Sequence, residues 1–120
     1  MKGLKITWDN KYKVVDVNLE SLSESVDGYI EHVFPQSEFA TFISTLLGKN
    51  VHFVCDEEYT YKKRSDQVNW FASDLYGQYI LGNIVLISFP YGSEDFDGFE
   101  QENLEKFIVR LETELGYTEE

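Results

Sequence analysis

Apolar and polar residues alternate at the start of the chain. Leu4, Ile6 and Trp8 take one side and Lys5 and Thr7 the other, the two-residue period of a half-buried strand. Asp9-Asn10 marks a turn, and the β-branched run over 12–17 predicts a second strand that closes a hairpin with the first. Asn18 is placed to cap a short helix over 19–26, stopped near Gly28, and a third strand over 29–34 ends at Pro35. Ser37 is the expected N-cap of a further helix. Phe39, Phe42, Ile43, Leu46 and Leu47 then recur at helical spacing, with Gly48 as the stop.

The run over 51–55 predicts a fourth strand, and the polar stretch 56–66 a projecting loop or hairpin tip. Residues 68–76 have helical character, ended by Gly77. The run over 79–89 is the most strand-like in the chain, interrupted at Gly82-Asn83 by a bulge or tight bend. An acidic, glycine-containing loop spans 90–98. The last helix has an apolar stripe of Leu104, Phe107, Ile108, Leu111 and Leu115 and ends at Gly116. On its wet side Glu102 and Lys106, and Arg110 and Glu114, stand at i,i+4 spacing, each pair worth about 0.2–0.5 kcal/mol.

Short connections and a strong hairpin signal favour an α+β fold over a doubly wound one. The expectation is a single domain over 1–120, a mostly antiparallel sheet with a packed C-terminal helix. The uninterrupted apolar runs at 51–54 and 84–87 belong at the sheet centre, since neither leaves a face for water.

Composition supports a folded chain. Apolar residues make up 42% and aromatics 16% of the 120 residues, far above an acidic disordered tail. Cys55, the only cysteine, permits no intrachain disulfide or multi-thiolate zinc site and reads as an inert core thiol. No secretory leader follows Met1 and no stretch is apolar enough to span a bilayer, so the expected location is the cytoplasm, that of a bacterial host cell.

Charge changes the picture more. Residues 91–120 hold ten carboxylates against Lys106 and Arg110, about two thirds of the net charge of −12. Such a field repels nucleic acid and anionic membranes and attracts basic protein surfaces.

Five segments occur in a telling order: Val26-Asp27-Gly28-Tyr29-Ile30-Glu31-His32-Val33, Val54-Cys55-Asp56-Glu57-Glu58, Asn69 with Ala72, Ile80-Leu81-Gly82-Asn83-Ile84-Val85-Leu86-Ile87, and Asp95-Phe96-Asp97-Gly98-Phe99 before a last helix. Together they resemble a small uncharacterised family of phage and plasmid proteins, labelled only as a domain of unknown function. The resemblance covers roughly 19–111. The chain departs from it in a longer, helical segment over 36–50 and in Cys55, where the family often has asparagine. The resemblance implies a mobile-element origin and a compact α+β domain, and brings no activity and no site residues.

Candidate chemistry is sparse. Asp56, Glu57 and Glu58 are consecutive, so on a strand they cannot converge on one ion, and a solvated loop is the simpler reading. The stretch Ser93-Glu94-Asp95-Phe96-Asp97-Gly98 lacks the ligand spacing and terminal bidentate Glu of a calcium loop. His32 and His52 read as ordinary strand positions without a nucleophile elbow or triad. Gly82-Asn83 lacks the glycine spacing of a phosphate cradle. No catalytic residue, metal or cofactor is therefore assigned.

Two surfaces remain. Glu94, Asp95, Asp97, Glu100, Glu102 and Glu105 are expected to form an acidic ridge with Phe96 and Phe99 as apolar anchors. The ridge would mimic phosphates toward a basic host protein such as a defence nuclease, making the chain a non-enzymatic inhibitor of the anti-CRISPR or anti-restriction class with no direct nucleic-acid or membrane contact. The alternative is a module that sequesters a nucleotide immune signal. Tyr59, Tyr61, Lys62, Lys63 and Arg64, the one basic island, would grip the phosphates while Trp70 stacks on the base. The bland reading of that island is a charged hairpin tip.

Overall fold

The first two strands, β1 (Lys2–Ile6) and β2 (Lys11–Asp16), pair antiparallel with Leu4 opposite Val14 and Ile6 opposite Tyr12. Asn10 turns the hairpin with a left-handed φ of 66°, a conformation asparagine tolerates better than most residues. The computed structural model describes residues 1–58, 66–92 and 95–120.

Helix α1 (Leu19–Val26) starts where Asn18 accepts a hydrogen bond from the Ser21 amide, and β3 (Ile30–Val33) follows. Helix α2 (Glu38–Leu47) is capped by Ser37, whose hydroxyl accepts from the Ala40 amide, and stops at Gly48, whose φ of 75° favours glycine. Strand β4 (Val51–Asp56), helix α3 (Trp70–Tyr76), strand β5 (Ile84–Ser88) and helix α4 (Gln101–Leu115) follow, and β6 (Thr118–Glu119) ends the chain.

These strands form one sheet in the order β3-β4-β5-β1-β2-β6, antiparallel throughout except for the β2–β6 pair. Every residue of β4 and β5 is buried, so the apolar runs do sit at the centre. One face of the sheet carries Leu4, Ile6, Phe53, Ile84 and Leu86 beneath α2, α3 and α4. The other carries Val54, Val85 and Ile87 beneath Leu22 and Val26 of α1. Leu104, Phe107 and Leu111 dock α4 on the first face, as its stripe predicts.

Some expectations change. Leu115 continues the stripe in sequence but is 54% exposed, because Gly116 ends the helix there and Tyr117 turns inward instead. The strand expected over 79–89 shortens to β5: Leu81 makes only an isolated bridge to Val68, and Gly82 bends the chain with a φ of 80°. Asp56 is not solvated. It closes β4 in a buried position and accepts a hydrogen bond from the Glu58 amide.

Candidate functional site

The acidic segment is anchored to the sheet. Residues 97–99 enter between the end of β5 and the start of β1, where Asp97 and Ser88 exchange backbone hydrogen bonds of 2.7 and 2.8 Å. The Phe99 amide donates to the Lys2 carbonyl at 2.8 Å. A Cβ on Gly98 would lie 2.5 Å from the Lys2 nitrogen and 2.6 Å from its oxygen, so the close approach needs glycine there. Lys49, beyond the end of α2, donates to the Asp97 carboxylate at 3.0 Å and to the Gly98 carbonyl at 2.9 Å. Its ammonium holds the Asp97 carboxyl below the usual range, helped by the Gly98 amide.

This seat sorts the expected ridge. Phe99 is 5% exposed and belongs to the main core cluster, its backbone held by the bond to Lys2; it is not a surface anchor. Asp97 is a structural ion-pair partner rather than a free ridge charge. Phe96 is half-buried against His32 and Phe89. Asp95, Glu100, Glu102 and Glu105 are exposed, and Glu94 lies outside the described residues. Glu102 pairs with Lys106 at 3.1 Å and Glu105 accepts from Gln101 at 3.0 Å, both within α4 and open to water. Pairs so exposed leave the carboxylates available to a partner. Glu102 also stands in the first turn of α4, where the helix dipole favours an anion.

Of the alternative set, Tyr59, Tyr61, Lys62, Lys63 and Arg64 lie outside the described residues. Trp70 is exposed at the start of α3, edge-on to Tyr79 at 5.8 Å.

The structure joins two residues that sequence reasoning left apart. His32 Nε2 and His52 Nδ1 are 2.6 Å apart, and the rings stack with centroids 4.8 Å apart. Phe34 stacks on His52, while Phe89 and Phe96 close on His32. Burial pulls His52 down to about 4, reinforced by His32, and burial lowers His32 as well. One neutral ring donates to the other. Both rings are therefore neutral at neutral pH and packed among Phe34, Phe89 and Phe96. Among the described residues no three His, Cys, Asp or Glu side chains gather to hold a metal ion.

A family profile matches residues 1–112. The chain belongs to the DUF3846 family, a domain of unknown function. No curated protein matches it. A solved structure of similar fold is the crystal structure of small RNA methyltransferase HEN1, 14% identical, with a TM-score of 0.56 over 92% of this chain and 16% of that one. At that identity the likeness concerns the fold alone. Several of the segments quoted above prove architectural in this DUF3846 chain. Asn69 is 1% exposed, caps α3 through the Ala72 amide, and donates to the carbonyls of Ile6 and Gly82 at 3.0 and 2.9 Å. It ties α3 to β1 and to the bend before β5. Gly98 is the glycine of the acidic seat.

Proposed function

We propose that this chain is a non-catalytic binding protein that docks on a basic protein surface through Asp95, Glu100, Glu102 and Glu105. In its specific form the reading is a mobile-element counter-defence protein, of phage or plasmid origin, acting in the cytoplasm of a bacterial host. Its carboxylates would occupy the positive channel in which a defence nuclease holds DNA or guide RNA. The observation that carries the reading is the clamped seat of residues 97–99. An acidic segment held by backbone bonds to β1 and β5 and by Lys49 presents its neighbours in one arrangement, so little conformational entropy is lost on docking. A merely solubilising acidic loop needs no such clamp.

The test replaces three of the exposed carboxylates and spares the structural one. Bacterial strains carrying restriction or CRISPR nucleases are challenged with phage while expressing the chain or its Glu100→Lys, Glu102→Lys, Glu105→Lys variant. The reading expects the chain to restore plating against at least one system and the variant, folded and equally abundant, to lose that effect. Equal plating with chain, variant and empty vector across the panel rejects it.

A further inference from the structure

We infer that the groove between α2, α3 and α4 is a docking site for a basic, amphipathic helix of a partner protein, distinct from the acidic ridge. The groove encloses about 390 Å³ and its walls include Phe39, Phe42, Trp70, Phe71, Phe107 and Leu111. Phe42 and Trp70 keep 47% and 57% of their surface exposed there, and Leu115 at its end keeps 54%. Two shallower hollows share its walls. One adds Val109 beside Leu46 and Phe107, and the other adds Tyr79 beside Trp70 and Asp74. Apolar surface thus continues beyond the groove beside Trp70 and beside Leu46 and Phe107, which suits a helix presenting anchors at i, i+3 or i+4 and i+7 better than a single small ligand. Exposed aromatic surface on this scale, in a chain with 22 acids and ten bases, marks an interaction site rather than a solubility device.

Charge chooses the occupant. Asp74 and Glu114 stand on the rim. Among the described residues two cations line the groove and its hollows, Arg110 and Lys106. Both are already engaged: Arg110 bonds Glu114 at 3.3 Å, with its guanidinium 5.4 Å from the centre of the Phe42 ring, and Lys106 pairs with Glu102 at 3.1 Å. An occupant with Lys or Arg flanking its apolar stripe meets Asp74 on the rim and a net charge of −12 over the chain as a whole. A second copy of this chain brings the same negative charge and is repelled. Phe42 and Trp70, aromatic and central, are the expected anchors of the interface.

A displayed library of random peptides of about 15 residues, long enough for a helix to form on binding, tests this on the full chain. The carboxylates of 100–105 stay native in every variant, so a fall in affinity between the chain and a groove variant reports the groove and not the ridge. The expected result is enrichment of peptides with apolar residues at helical spacing flanked by Lys or Arg, whose affinity falls about tenfold or more with Trp70→Ala and with Phe42→Glu. Should Phe42→Glu fail to fold, Val109→Glu and Trp70→Ala carry the comparison. Four results overturn the inference: no enrichment, enrichment of acidic or non-amphipathic peptides, binding indifferent to these variants, or a dimer in solution that Phe42→Glu dissolves, since the occupant would then be a second copy.

Discussion

Replacing Gly98 with alanine tests whether the acidic segment is held by the sheet. The new methyl carbon would meet the nitrogen, oxygen and carbonyl carbon of Lys2 at 2.5, 2.6 and 3.0 Å, all backbone atoms that no rotamer change can move aside. Either the start of β1 shifts or residues 97–99 lift away. Forcing an extra carbon into a packed position costs about 1–3 kcal/mol. Lifting the segment instead forfeits the Phe99–Lys2 and Asp97–Ser88 backbone bonds, each worth about 1 kcal/mol net. Both routes predict a loss of about 1–3 kcal/mol. In urea, with a slope of about 1–3 kcal/mol/M for a domain of this size, the midpoint should fall by about 1 M. Hydrogen exchange adds a local readout, because the Phe99 and Asp97 amides should lose protection while those of β4 keep it. An unchanged midpoint with full protection at Phe99 would refute the seat.

Other predictions follow from buried groups. Asn69→Ala removes the cap of α3 and strips two buried carbonyls of their donor, so a loss of about 3 kcal/mol in urea unfolding is expected; a loss under about 1 would show that water replaces the amide. His52 titrates near 4 in the fold against an ordinary 6.5, so the unfolded chain takes up its proton first as pH falls. Its contribution to stability is fully present above about 6.5 and is lost progressively as pH falls toward 4. His52→Phe should flatten the stability profile between pH 6.5 and 5, and an identical profile in the variant would contradict the depressed value. Burial, with Glu31 and Asp56 nearby, pushes the Cys55 thiol up to about 12. The folded chain should then resist a disulfide reagent at pH 8 and react only once urea unfolds it, whereas rapid labelling of the native chain would mean that the thiol is accessible.

Local signals made much of this fold legible. Asn18, Ser37, Gly48 and Gly116 bound their helices as their side chains or conformations predict, and the apolar runs of β4 and β5 lie where water is excluded. What remained hidden depends on distant partners. β6 is two exposed residues whose only signal is pairing with β2. The histidine pair depends on the register of β3 against β4, set across the intervening α2, which no spacing in the sequence reveals. The acidic run over 94–105 reads as a free ridge until Lys49, 48 positions from Asp97, and Lys2, at the other end of the chain, are brought to it. Charge composition reports the sign of a surface. It does not tell which carboxylates are structural.

On the function proposed above, the exposed carboxylates of 100–105 engage a basic protein. The direct measurement immobilises the chain and its Glu100→Lys, Glu102→Lys, Glu105→Lys variant side by side, passes a bacterial lysate carrying defence nucleases over both, and elutes with salt rising from about 0.1 M, where screening sets in within about 10 Å. A basic, nucleic-acid-binding protein is expected to elute from the native chain as salt rises and to be missing from the variant. The same proteins on both columns, or retention of none that is basic, would contradict it.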